Sequence, residues 1–113
     1  GIEALTAECF WAASKAGVVD EVAASLDASQ TDMGWKQQAH YYAERMTTHG
    51  IRRAAEMREV QRTLIDHGIT PDMTRGTIDR QQQFGELAIS LVDLDSFEAR
   101  FAAIEAAVET EKS

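Results

Sequence analysis

Apolar residues in this chain return every three or four positions, and no segment alternates apolar with polar residues long enough to form a strand. One proline, Pro71, leaves few enforced breaks, and alanine is abundant. The spacing predicts an all-α fold. At 113 residues, with 44% hydrophobic and 27% charged side chains, the chain has the make-up of one globular domain spanning residues 1–113.

Gly17, Gly34, Gly50 and Gly68 each fall near the end or start of a periodic run and read as helix stops or turns, so the expected architecture is a bundle of about six helices. The first runs from Ile2 to about Ala16, with Ile2, Leu5, Cys9, Ala12 and Ala16 as its apolar stripe. Phe10 and Trp11 flank that stripe, and Ala4, Ala7 and Ala13 widen it, which points to a central helix with close neighbours. Asp20 reads as the N-cap of a short second helix through Val22, Ala23 and Leu26, followed by a polar loop from Asp27 to Gly34. Trp35, Ala39, Tyr42 and Met46 share one face of a third helix that stops near His49-Gly50. Met57, Val60 and Leu64 define a fourth that ends at Gly68. Thr70-Pro71 opens a long fifth, with Met73, Thr77, Phe84, Leu87 and Leu91 on one face. Asp95 and Glu98 form a capping box for the last, whose buried line is Phe97, Phe101, Ile104 and Val108 and whose tail from Glu109 frays.

A net charge of −8 disfavours nucleic acid and anionic membrane surfaces as partners, because both demand a basic face. No apolar run reaches the length of a membrane span. The single cysteine, Cys9, excludes an intrachain disulfide and lies in an apolar run that suits a buried structural thiol. With no basic lead before an apolar segment, no secretory signal and a cytoplasmic location are expected. Gly1-Ile2-Glu3-Ala4-Leu5 is helical in character from its first residue, with no cap before it, and reads as cut from something longer.

The catalytic signatures of nucleotide-binding loops and nucleophile elbows are missing. His40, His49 and His67 have no histidine partner four residues away and Cys9 has no second cysteine, so no metal site is expected. One region departs from the acidic background. Five of the eleven cationic residues fall between Arg45 and Arg62. Arg58 and Arg62 fit a solvated helix face with surface pairs. Arg53 continues the Met57–Val60–Leu64 stripe toward its N-terminal end, where an arginine must pair with an acid, snorkel to solvent or face a ligand. If a helix begins after Gly50, its free N–H groups together with Arg52 and Arg53 can hold a small carboxylate or phosphate. Glu56 can accept from a substrate hydroxyl or pair with either arginine. Arg52, Arg53, Glu56 and His49 are therefore the candidate substrate-binding residues.

The run from Leu5 through Gly17-Val18-Val19-Asp20, with Glu8 nine residues before Gly17, resembles the interdomain helix of the β-hydroxyacid dehydrogenases, the group of 3-hydroxyisobutyrate and 6-phosphogluconate dehydrogenases. His49-Gly50-Ile51-Arg52-Arg53-Ala54-Ala55-Glu56-Met57 and Gly68-Ile69-Thr70-Pro71-Asp72-Met73-Thr74 resemble the C-terminal domain of a less characterised branch of NAD(P)-dependent, 6-phosphogluconate-dehydrogenase-like oxidoreductases. The resemblance implies a Rossmann domain upstream that binds NAD or NADP, and a helical domain here that closes the substrate cleft and forms a homodimer. It implies a small anionic hydroxy acid or related molecule as substrate, with oxidoreduction at a CH–OH group. The group's acid–base lysine would fall before Gly1, so no catalytic residue is expected within this segment and activity belongs to the longer parent. Lys15 does not match that lysine. The group's Lys-Asp pair is Ala55-Glu56 here, and Arg52 and Arg53 offer a replacement cation one turn away. The alternative reading is a non-enzymatic helical interaction module whose arginines only form ion pairs; a ligand-sensing domain is a third.

Overall fold

The computed structural model describes residues 1–28 and 34–112. Five helices carry it: α1 (Ile2–Ala16), α2 (Val19–Asp27), α3 (Trp35–Asp66), α4 (Asp72–Glu86) and α5 (Phe97–Lys112). No strand occurs among the described residues, so the all-α bundle expected from the periodicity is the fold.

The count is five rather than six because α3 runs unbroken through Gly50 for 32 residues. Gly50 is not a stop but a crossing point. A Cβ built there would meet the carbonyl of Gln81 inside any real contact distance and lie 2.9 Å from the Gly85 nitrogen. A Cβ on Gly85 would lie 2.6 Å from the Ile51 nitrogen in return. The two glycines let α3 and α4 touch backbone to backbone, and these two helices share the most extensive contact in the molecule.

Gly17 and Gly68 do end helices. Both take positive φ, 72° and 75°, and the residue after each donates back to the preceding turn: Val18 N–H to Ala13 O at 2.9 Å, Ile69 N–H to Leu64 O at 2.9 Å. At helix starts the structure differs from the expected caps. Asp20 lies inside α2, which starts at Val19 with no side-chain cap. The α5 cap is Ser96, whose Oγ accepts the Ala99 N–H at 3.1 Å, and not Asp95. Asp27 ends α2, where its Oδ1 accepts the Trp35 N–H at 3.0 Å and so caps α3; residues 29–33 of the expected loop lie outside the described residues. Helix α4 stops at Glu86, leaving Leu87 and Leu91 buried in the connection, and α5 stays helical to Lys112 where fraying was expected.

The core is centred on Phe10, Met46, Phe84, Leu91, Phe101 and Ile104, all fully buried. Phe97 stacks on Phe101 at 4.4 Å and meets Phe10 edge-on at 5.9 Å. The expected α5 line of Phe97, Phe101, Ile104 and Val108 is buried. The α1 face is not the expected one. Ala4, Ala7, Phe10 and Ala13 point inward, while Ile2, Leu5, Cys9, Ala12 and Ala16 are exposed; Cys9 is therefore a surface thiol. Close approach of helices selects the small-sided face, and α1 contacts all four other helices. Arg100 fastens α5 to α3: buried, it donates from Nε to Leu94 O at 2.7 Å and from Nη1 to His40 O at 2.8 Å.

Candidate functional site

The Gly50–Gly85 crossing fixes what lies one turn further along α3. Arg53 reaches across to α1, where its Nη1 pairs with the Glu3 carboxylate. Both side chains are largely covered, 23% and 18% exposed, yet both still reach solvent. The α4 residue Gln81 completes the group: it is 3% exposed, and its Nε2 donates to Glu3 Oε1 at 3.2 Å. A carboxylate can only accept, so it holds the Gln81 amide with nitrogen inward and oxygen away. That oxygen, Oε1, is buried and has no hydrogen-bond partner. Three helices thus contribute one member each to a polar cluster of Glu3, Arg53 and Gln81.

A groove of about 370 Å³ runs between α1 and α4, lined by Ile2, Leu5, Met73, Thr77, Arg80 and Glu8 among others and by no member of this cluster. Its side chains are mostly apolar and open to solvent; Ile2, Leu5 and Met73 are among the most exposed large hydrophobic residues. Arg80 closes one side. It pairs with Glu8, donates to Gln83 Oε1 at 2.5 Å, and lies 5.6 Å from the Trp11 ring centroid. A second hollow, about 400 Å³, lies between α1, α2 and α5, with Trp11, Phe97 and Phe101 as apolar wall and Lys15, Glu98 and Glu105 among its charged residues. The hydrogen bond from Trp11 Nε1, at 2.8 Å, and Lys15 at 3.3 Å hold the Glu105 carboxyl below its usual range. None of the four candidate residues read from the sequence lines either hollow.

Those four residues separate in the fold. Arg52 and Glu56 pair with each other at 3.1 Å on the exposed side of α3. His49 is half-buried on the same helix, one turn before Arg53. Only Arg53 joins a cluster built from other helices. Because α3 continues through Gly50, the N–H groups of residues 51–54 run inside a helix, and the free helix start expected there as an anion cradle does not exist. Arg58 and Arg62 take surface partners, Gln82 at 3.2 Å and Glu59 at 2.9 Å, as expected for a solvated face. Glu3 and Gln81 were not legible as site residues, since their only link to Arg53 is a packing that joins positions 50 and 28 residues away. Among the described residues no group of histidine, cysteine and carboxylate side chains is arranged to hold a metal ion, and no helix is long and apolar enough to cross a membrane.

Comparison with known proteins adds one match. Residues 13–84, well over half of the chain, fit the model of DUF1932, a domain of unknown function. The matched span runs from the end of α1 to Phe84 of α4 and contains Arg53 and Gln81. No curated protein and no solved structure matches the chain. DUF1932 is in general a C-terminal helical domain of NAD(P)-dependent 6-phosphogluconate-dehydrogenase-like proteins. The chain belongs to the DUF1932 family.

Proposed function

We propose that this DUF1932 domain forms one wall of the substrate cleft in an NAD(P)-dependent oxidoreductase that acts on a small anionic hydroxy acid. The family match carries the reading. In it, a Rossmann domain preceding α1 binds NAD or NADP, which when bound supplies the hydride acceptor or donor at the substrate's CH–OH carbon. This chain's own task is to bind and orient the anion and to exclude water.

Arg53 is the residue suited to that task. Its planar guanidinium can present two parallel N–H groups to a carboxylate, which fixes orientation as well as supplying attraction. It stands in a partly covered seam, where such a pair is screened less than on open surface. Arg52 and Glu56, already paired in solvent, contribute less and serve as a control. The apolar α1–α4 groove offers a surface for the partner domain to close upon. The reading also makes the protein a homodimer, through the exposed Val60, Ile65, Ile69 and Met73 of the α3–α4 hairpin.

The test is steady-state kinetics of the full-length enzyme. Arg53→Ala should raise KM for the anionic substrate by roughly ten- to a hundredfold, the worth of a hydrogen bond to a charged group, with kcat changed far less. Arg52→Ala should leave both near wild type. An unchanged KM in Arg53→Ala refutes the assignment.

A further inference from the structure

We draw no further inference here: the strongest candidate, the apolar groove between α1 and α4 where Gly76 leaves room beside the exposed Ile2, Leu5 and Met73, carries nothing because nothing in the structure shows what covers it.

Discussion

Replacing glycine by alanine inside a helix normally stabilises it, by about 1 kcal/mol. In this protein the same substitution should have opposite signs at two helical positions. At Gly76 of α4 a Cβ would meet nothing within 4 Å, so Gly76→Ala keeps the whole propensity gain. At Gly50 the added carbon collides with Gln81 O, with Gly85 N at 2.9 Å and with Gln81 C at 3.2 Å. All three are backbone atoms and cannot rotate aside. Helices α3 and α4 must separate, and their shared packing around buried Thr47, Ala54 and Gln81 loosens. Overpacking of this kind costs about 3 kcal/mol at the upper end of its usual range. Offset by the propensity gain, a net loss of about 2 kcal/mol remains. For a domain of this length about 1 kcal/mol corresponds to about 4 °C in Tm. Thermal unfolding followed by far-UV circular dichroism should therefore show Gly50→Ala melting about 8 °C below wild type and Gly76→Ala about 4 °C above it. If Gly50→Ala melts at or above wild type, the backbone crossing is not what that glycine is for.

Two further outcomes are expected. His40, half-buried as a residue, has a buried Nδ1 with no partner, and burial first, then the Arg100 cation, lower its pKa from the ordinary 6.5, against weaker opposition from Asp95 and Glu98. The unfolded chain therefore takes up the proton first: stability should begin to fall as pH drops through about 6.5 and should flatten below the folded value, and His40→Gln should remove that slope from a plot of Tm against pH. The proposed homodimer predicts twice the monomer mass in sedimentation equilibrium, and Met73→Glu, at a side chain 76% exposed, should yield monomers with unchanged helical content; a monomeric wild type removes the dimer from the proposed function.

Helices were legible because three- and four-residue spacing has one structural meaning when no two-residue alternation competes with it. The face that a helix buries was legible only where one face alone is apolar. In α5 the Phe97–Val108 line had no rival and is buried. In α1 both Ile2–Leu5–Cys9 and Ala4–Ala7–Phe10–Ala13 qualify, and total hydrophobicity favours the wrong one; what decides is the room available once other helices pack against it. Gly50 was misread for a related reason. Read locally, a glycine between two periodic runs is a break, and only the presence of α4 against it makes an unbroken helix the better state. Arg53 was singled out as continuing a Met57–Val60–Leu64 stripe expected to face inward, but Val60 is exposed and Met57 and Leu64 are only half-buried, because α3 runs on past α4's contact at Gly50 into solvent. The partner of Arg53 was not legible, because Glu3 and Arg53 are joined only through tertiary packing.

The site and the fold consequently depend on the same contact. Arg53 rides on α3 one turn past Gly50, Gln81 is the α4 residue whose carbonyl faces Gly50, and Glu3 sits between them on α1. No two of the three are close in sequence, so nothing local can hold them together; the crossing does. A side chain at Gly50 pushes Gln81 away from Arg53 without altering either. The geometry of the Glu3–Arg53–Gln81 cluster is then a consequence of helix packing rather than of a motif, which is why a cluster of arginines could be seen in the sequence while the one arginine that joins other helices could be singled out only by what packs against it.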